Sequence, residues 1–241
     1  VADVRSHLAA LLNCIENAVF SPRRHPEIPP RSGLKMTPAE ALSFFSQLEG
    51  IWRDLALTQF YISGRVQEVA GIQIQSVDLP NQSLLIKDVI MWSRGKRFIE
   101  LKSCTKNGEN RFCHINKTLD VIFQRRLSLK HPGSNYLFHL DGMPLSYRSI
   151  QFQYNKALKK CGLIEKFSAT HFLRHSMATI TRRVTGSLEH TQAVTGHKDQ
   201  KMVQHYADLP SNMQIEAVSQ VERFMDHLIS SVRASNCEQK F

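Results

Sequence analysis

The sequence has no apolar run close to the roughly 18 residues that a membrane-spanning helix needs, and it has no internal repeat or low-complexity tract. Residues 3–19 have the apolar periodicity of an amphipathic helix, but charged residues interrupt it, so the segment does not resemble a signal peptide. We therefore expect no membrane partner. The chain does not begin with Met, which suggests a fragment of a longer protein.

Cysteine is scarce, and its pattern does not suggest disulfides. The five cysteines are odd in number and scattered along the chain: Cys14, Cys104, Cys113, Cys161 and Cys237. Such usage favours reduced thiols in a cytoplasmic protein.

Recognisable metal-binding spacings are missing as well. Cys104, Cys113 and His114 flank one predicted turn, but two thiols and one imidazole do not complete a tetrahedral zinc site. His171 and His175 have a helical i, i+4 spacing, without an acidic third ligand or an H-E-x-x-H motif. We expect no metal and no cofactor. The absence of a carboxylate cluster also disfavours a metal-dependent nuclease or phosphatase.

Acidic residues are outnumbered, with 21 Asp and Glu against 31 Lys and Arg, a net charge of +10 and a pI of about 9.6. This excess favours a polyanionic partner, because phosphate neutralisation releases counterions. The 241 residues, 42% of them hydrophobic, suit one large domain or two small ones.

The segment from His171 to Tyr206 concentrates the residues that suit phosphate chemistry. His171 and Arg174 are spaced i, i+3 and share one face of a predicted helix. A second predicted helix begins after Gly186 and ends at Gly196-His197, and Tyr206 follows nine positions after that histidine. Two histidines, an arginine and a tyrosine on turns that can converge form a candidate phosphate site.

This ordered set resembles the C-terminal signature of the tyrosine recombinases, the phage-integrase family. The signature is H-x-x-R, then Gly-His, then a tyrosine nine positions after that histidine, matched here by His171, Arg174, Gly196, His197 and Tyr206. Gly186 matches a glycine that precedes the Gly-His helix in the family. Thr195 departs from the pattern, because a large aliphatic residue usually precedes the glycine.

An earlier stretch resembles the family's first arginine motif, in which a glycine-containing turn presents an arginine and a glutamate follows three residues later. Here Gly64 precedes Arg65, and Glu68 follows. The resemblance makes Arg65 the first catalytic arginine and Glu68 its buttress. The family usually has Thr-Gly-x-Arg where this chain has Ile62-Ser63-Gly64-Arg65. Taken without the later motifs, Arg65 is a surface arginine paired with Glu68.

Residues 82–117 are predicted to be β-structure, with apolar runs over 84–92, 97–102 and 111–115 and a hairpin signal at Asn107-Gly108. The resemblance places the catalytic lysine in the turn between the second and third runs, at Lys106, five residues before Arg111. The 41 positions from Arg65 to Lys106 exceed the spacing in shorter members, which implies an extra hairpin near residues 83–96. Lys96 and Lys102 therefore remain alternatives.

Other stretches predict helices and a boundary. Thr37, Pro38 and Glu40 form a capping box that opens a helix, and a second helix covers residues 51–62. Basic helices over 119–130 and 146–163 either follow a DNA backbone or are solvated faces. A last amphipathic helix, 211–232, docks either on a neighbouring protomer, as is common in the family, or on its own domain.

These observations predict an α+β, mainly helical, integrase-like catalytic domain with a small antiparallel sheet, spanning residues 34–241. Residues 1–33 would be a linker or the end of a core-binding region. The resemblance implies a site-specific recombinase, encoded by a bacterium or a phage, that acts on double-stranded DNA as a homo-tetramer held by the C-terminal helix. We expect it in the cytoplasm, associated with the nucleoid. The alternatives are a catalytically inactive DNA-binding module and a DNA-relaxing enzyme of the type IB topoisomerase kind.

The resemblance also implies a role for each site residue. Tyr206 would attack the scissile phosphate and form a 3′-phosphotyrosyl link. Arg65 and Arg174 would clamp the non-bridging oxygens, and Lys106 would protonate the leaving 5′-oxygen. His171 would accept the tyrosine proton or orient the phosphate, and His197 would donate a hydrogen bond to it.

Overall fold

The computed structural model describes residues 35–93, 97–103, 110–167, 170–196 and 212–238. The helices are α1 (Pro38–Ser46), α2 (Gly50–Tyr61), α3 (Val66–Ala70), α4 (Lys117–Ser128), α5 (Tyr147–Lys160), α6 (Phe172–Thr185), α7 (Leu188–Thr195) and α8 (Asn212–Glu238), with a 3₁₀ turn at Ile74–Ser76. The strands are β1 (Val77–Asp78), β2 (Ser83–Ile86), β3 (Asp88–Trp92), β4 (Phe98–Ser103), β5 (Arg111–His114), β6 (His139–Leu140) and β7 (Met143–Pro144). The predicted α+β, mainly helical class is confirmed.

Helix α1 begins with the predicted capping box. Glu40 N donates to Thr37 Oγ1 at 3.2 Å, and Thr37 N donates to Glu40 Oε2 at 2.8 Å, so each residue satisfies a backbone donor of the other. Pro38 occupies the first turn, where its missing N–H costs nothing. Met36 N donates to Ser176 Oγ at 2.7 Å, which ties the start of α1 to α6.

The core forms where α1, α5 and α6 meet. Phe44 of α1 packs edge-to-face on Tyr154 of α5, with ring centroids 5.5 Å apart, and on Phe172 of α6, at 5.3 Å. All three rings are fully buried. Edge-to-face pairs each add about 1 kcal/mol beyond the burial of their area, so this cluster fixes the helix that carries Arg174.

The strands of residues 82–117 lie where the sequence predicts them, and they form two antiparallel ladders. Lys87 alone separates β2 from β3, and each takes its own partner: β2 pairs with β1 and β5, whereas β3 pairs with β4. The extra hairpin predicted near residues 83–96 is confirmed as the β3–β4 ladder.

The predicted hairpin at Asn107-Gly108 is wrong in its strand pairing. Among the described residues, β4 and β5 belong to different ladders, and the turn itself lies outside the described ranges. Ser103 pairs with Asp88, and Arg111 pairs with Ile86. These partners are two positions apart, about 7 Å along a strand. The residues on either side of the Lys106 segment, Ser103 and Arg111, therefore pair with neighbouring stretches of the chain, on β3 and β2 respectively.

Two arginines in the last turn of α4, Arg125 and Arg126, pair with a carboxylate inside the protein. Arg126 Nε lies 2.8 Å from Asp54 Oδ2, and Arg125 forms a second ion pair with the same carboxylate. Asp54 is buried in α2, so both arginines neutralise an internal charge. The sequence left two interpretations of this basic helix, a DNA contact and a solvated face. Neither accounts for Arg125 and Arg126, because both pair with Asp54.

The first half of helix α8 packs on its own domain. Of the two predicted docking modes, own domain or neighbouring protomer, the first therefore applies to this half. Its buried apolar residues are Ala217, Val218, Val221 and Met225. Gln214 accepts from His114 N at 3.2 Å and donates to Ala193 O at 3.3 Å. Glu222 accepts from the backbone N and the hydroxyl of Thr118 at 2.9 and 2.8 Å. No helix in the described ranges has both the length and the apolar character that crossing a bilayer requires.

Candidate active site

Arg174 lies at the centre of the site and joins two distant turns. Its side chain is buried, and its guanidinium donates to Ser63 O after α2 and to Thr195 O, at 2.7 Å, at the end of α7. Ser63 Oγ donates back to Arg174 O at 3.3 Å. Ser63 has a φ of 49°, in the left-handed region that non-glycine residues rarely adopt. Arg174 therefore holds the turn that leads to Arg65.

Arg65 is the residue that precedes α3, and Glu68 holds it at two points. Arg65 N donates to Glu68 Oε2 at 2.9 Å, and Arg65 Nη1 donates to Glu68 Oε1 at 2.7 Å. The Arg65 side chain keeps 32% of its surface exposed, whereas Glu68 keeps 2%. The carboxylate thus orients a guanidinium that still faces solvent, which is the geometry a buttress needs.

Arg111, which the sequence analysis used only as a spacing marker, is part of the same cluster. Its Nη2 lies 3.2 Å from Glu68 Oε2, and its Nη1 donates to Ile62 O at 3.0 Å. The available sequence signal was its position five residues after Lys106, at the start of a strand. Its contacts could not be inferred, because Glu68 is 43 positions away in the chain.

The end of α7 contacts both Arg111 and the buried Arg174. Gly196 has a φ of 64°, and a Cβ at this position would lie 3.2 Å from Arg111 Cδ. The preceding carbonyl, of Thr195, accepts from Arg174. The Thr195 hydroxyl donates to Thr191 O at 2.9 Å and is satisfied within its own helix, so a buried threonine serves where the family usually has an aliphatic residue.

His171 begins α6 beside these cations. Partial burial lowers its pKa, and the nearby His175, Arg65 and Arg174 lower that pKa further, while Glu68 acts in the opposite direction. His171 is therefore neutral near pH 7, where its imidazole can accept a proton.

The cluster carries more positive than negative charge. Three guanidiniums, those of Arg65, Arg111 and Arg174, surround the one carboxylate of Glu68. Burial is the largest cause that lowers the pKa of Arg174 to about 10, and the positive charge of Arg111 is the next. Arg174 therefore stays charged at neutral pH. Burial alone would raise the pKa of Glu68, but Arg111 and Arg65 outweigh it and lower that pKa. Three positive charges and one negative leave an excess of two, which suits an anion.

Three predicted site residues, Lys106, His197 and Tyr206, lie outside the described residues. Their chain neighbours are described. Gly196, immediately before His197, lies against Arg111. Residues 197–211 connect α7 to α8, and Gln214 joins these two helices through Ala193 O. Lys102, an alternative to Lys106, is exposed on β4 and pairs with Val89.

Potential metal ligands are dispersed in the part of the chain that the structure describes. No group of three or more His, Cys, Asp or Glu residues there is placed to hold a metal ion. Cys113 and His114 are buried in β5. Burial raises the pKa of the Cys113 thiol and lowers that of His114, so both are uncharged near pH 7.

Comparisons with known proteins agree with this arrangement. The sequence pattern of the phage integrase family matches residues 35–213, a range that contains all six predicted site residues. The tyrosine recombinase XerC of Actinobacillus pleuropneumoniae serotype 7 (strain AP76) is 30% identical over 163 residues, covering 65% of this chain and 47% of the recombinase. The chain thus spans about half the length of that curated relative.

Solved structures share the fold. An integrase of the transposon Tn1549, in complex with circular intermediate DNA, superposes with a TM-score of 0.58 at 18% identity, covering 90% of this chain and 76% of the integrase. The XerH recombinase bound to its difH substrate gives a TM-score of 0.53 at 18% identity, covering 69% of this chain and 47% of XerH. At these identities the likeness concerns the fold.

Proposed function

The chain belongs to the phage integrase family, and from this premise we propose that it cuts and rejoins double-stranded DNA at specific sites through a covalent link to Tyr206. The observation that carries the proposal is the cluster of Arg65, Arg111 and Arg174 around one buried carboxylate, Glu68. The Tn1549 integrase and XerH, whose folds it shares, have been solved with transposon DNA and with a recombination substrate.

The cluster would bind the scissile phosphate. Guanidiniums present planar pairs of donors that match phosphate oxygens, and they act strongly where water is partly excluded. Arg65 is turned by Glu68 and partly exposed, and Arg174 is buried beside it. We assign the non-bridging oxygens to these two side chains. Arg111 would keep Glu68 charged and in place.

Tyr206 would be delivered from the segment between α7 and α8. Ten positions separate it from Gly196 and six separate it from Asn212, which allows a reach of roughly 20 Å from α8 at about 3.4 Å per residue. Gly196 already lies against Arg111, so this reach suffices to bring the phenol to the cluster. Excess positive charge favours the phenolate of a group whose ordinary pKa is about 10, and neutral His171 would accept the proton.

The bond changes are balanced without a co-reactant. The Tyr206 oxygen attacks phosphorus, the bond from phosphorus to the 5′-oxygen breaks, and Lys106 supplies a proton to that oxygen. His197 would donate a hydrogen bond to a phosphate oxygen. Rejoining is the reverse: a 5′-hydroxyl, from the same strand or another, attacks the phosphotyrosine and releases Tyr206. One phosphodiester is exchanged for another, so no nucleotide is consumed.

The β ladders favour Lys106 as the acid over Lys96. The segment with Lys106 joins Ser103, the last residue of β4, to Arg111, the first residue of β5, and Arg111 is in the cluster. Lys96 lies between Trp92 and Phe98, and Trp92 is six positions, about 20 Å, along the strands from Ile86, the partner of Arg111. Lys102 precedes Ser103 on β4 and pairs with Val89. It is the alternative general acid that experiment has to exclude.

The proposal extends to the domain and its assembly. Residues 34–241 would form the catalytic domain, which would act in the cytoplasm on DNA as a homo-tetramer. Because the first half of α8 is packed on its own domain through Gln214 and Glu222, the part of α8 after Met225 is the segment we assign to contact with a neighbouring protomer.

A suicide-substrate assay tests this function. Duplexes that the full chain selects from a random library would be nicked just 3′ to each candidate cleavage position and incubated in EDTA. We expect a denaturant-resistant protein–DNA adduct with the wild-type chain and none with Tyr206→Phe. DNA binding without an adduct from either protein would instead identify an inactive binding module.

A further inference from the structure

The exposed face of α5 has an unusual centre. Phe152 keeps 63% of its surface exposed, and at 3.6 residues per turn it points away from the buried residues of the same helix. Those buried residues are Ile150, Tyr154, Ala157 and Leu158. The largest apolar side chain on the outer face of α5 is thus placed where it contributes least to the core.

Cations surround Phe152 on that face. Arg148 and Lys156 lie one turn before and one turn after it, and Lys159 and Lys160 follow in the next turn. All four are exposed, and α5 contains no acidic residue. Within the described ranges none of these cations forms an ion pair with a carboxylate, unlike Arg125 and Arg126 of α4, which pair with Asp54.

The buried face of α5 is fixed to the candidate active site. Tyr154 Oη donates to Gln59 Oε1 at 3.1 Å, and Gln59 Nε2 donates to Thr170 O at 2.7 Å, one residue before His171. Two residues before α5 begins, Leu145 O accepts a hydrogen bond from Trp92 Nε1 at 3.0 Å. The outer face of α5 therefore has a set position relative to the phosphate cluster.

We propose that this face enters the major groove of DNA, where Arg148 and Lys156 contact phosphates and Phe152 contacts the 5-methyl group of a thymine. The inference rests on the proposed function and adds a determinant of target-site sequence. The major groove admits an α-helix, and the thymine methyl is the one apolar group that its base edges present. A cationic helix that only followed the backbone would gain nothing from a central phenyl ring, because phosphates carry no apolar surface.

Isolated exposed apolar side chains are common on protein surfaces, and Val121 of α4 supplies a matched control. It is 60% exposed and also has a cation one turn away on each side, Lys117 and Arg125. Arg125, however, is held by Asp54. Substitution of Val121 should therefore leave DNA sequence preference unchanged.

The test begins with selection of duplexes from a random library by three full chains: wild type, Phe152→Ala and Val121→Ala. We expect the wild type and Val121→Ala to select one common motif, and Phe152→Ala to lose the preference for thymine at one position of it. An identical motif for Phe152→Ala would overturn the inference and leave the proposed function intact. Selection of no duplex by the wild type would overturn both.

Base substitution then isolates the methyl group. Uracil in place of that thymine removes only the 5-methyl, worth about 0.8 kcal/mol, or about fourfold in affinity. Wild-type binding should weaken by about this factor, and Phe152→Ala should bind both duplexes equally. Equal binding of the two duplexes by the wild type would contradict the contact. So would a Phe152→Ala chain that binds DNA normally and loses only self-association, since Phe152 would then face a protomer.

Discussion

Glu68 and Arg111 form an ion pair across 43 positions of sequence, with Arg111 Nη2 3.2 Å from Glu68 Oε2. The same carboxylate holds Arg65 through its other oxygen, at 2.7 Å. One buried group therefore links the strand that follows the Lys106 segment to the arginine proposed to bind phosphate. The orientation of Arg65 thus depends on the carboxylate of Glu68, which would not itself contact the DNA.

Replacing Glu68 should destabilise the protein and flatten its acid response. Because the pKa of Glu68 in the fold is lowered from its ordinary 4.5, its ionised form contributes stability above that value, and the contribution is lost as the pH falls through the lowered pKa. We expect Glu68→Gln to reduce the free energy of unfolding by about 3 kcal/mol at pH 7, and to show a shallower loss of stability between pH 5 and 3 than the wild type. Urea unfolding at several pH values measures both, and parallel pH profiles would contradict the prediction.

Gly196→Ala should impair DNA cleavage more than it impairs folding. Both Gly196 and Gly186 have a positive φ, 64° and 66°, so alanine strains either backbone by about 1 kcal/mol. A Cβ at Gly196 also meets Arg111 Cδ at 3.2 Å, whereas at Gly186 it meets nothing within 4 Å.

We therefore expect similar losses of thermal stability in the two variants, and a fall of about tenfold or more in adduct formation for Gly196→Ala alone. Equal adduct rates in Gly196→Ala and Gly186→Ala would show that the contact with Arg111 does not matter.

Asp54 should matter for stability and not for chemistry. Its carboxylate is buried and neutralises Arg125 and Arg126, of which Arg126 is largely buried and Arg125 is half exposed. Asp54→Asn leaves these cations without a counter-charge and should cost about 2–3 kcal/mol, with the exposed pair discounted for screening by solvent.

The matched control is Asp120→Asn, also on α4, where the Asp120 carboxylate accepts from Gln124 of the same helix and a change below about 0.5 kcal/mol is expected. Adduct formation per folded molecule should be unchanged in both variants. A selective loss of cleavage in Asp54→Asn would place Arg125 or Arg126 in the DNA site.

The identity of the general acid can be read from leaving-group chemistry. A substrate with sulfur in place of the bridging 5′-oxygen leaves as a thiolate that needs no proton. Lys106→Ala should lose at least about 100-fold in cleavage of ordinary DNA and recover nearly wild-type rates on the sulfur substrate. Lys102→Ala should lose less than tenfold on either. If the pattern of loss and recovery followed Lys102 instead, the acid would be Lys102.

Local features of this fold could be predicted from sequence, and long-range ones could not. The capping box of Thr37 and Glu40 is complete within four residues, so its letters define it. The strands were placed correctly, but their pairing was not, because Lys87 divides one apolar run into two strands with separate partners. Arg125 resembled a DNA contact because its partner, Asp54, lies in another helix.

The candidate site divides in the same way. Motif spacing identified Arg65 and Arg174, and the structure brings both to one cluster with His171. Arg111 escaped detection because its role comes from Glu68, Ile62 and Gly196, which meet only in the folded chain. Lys106, His197 and Tyr206 lie outside the described residues, and their roles remain predictions from the motif.

The most direct test of the central claim is to map the covalent bond. The adduct formed in EDTA would be digested with protease and nuclease, and the nucleotide-bearing peptide identified by mass spectrometry. We predict a single modified residue, Tyr206, linked to the 3′-phosphate, with a free 5′-hydroxyl on the released strand that a kinase can label. A nucleotide on another residue, or a cleaved strand that carries a 5′-phosphate and no adduct, would contradict the account.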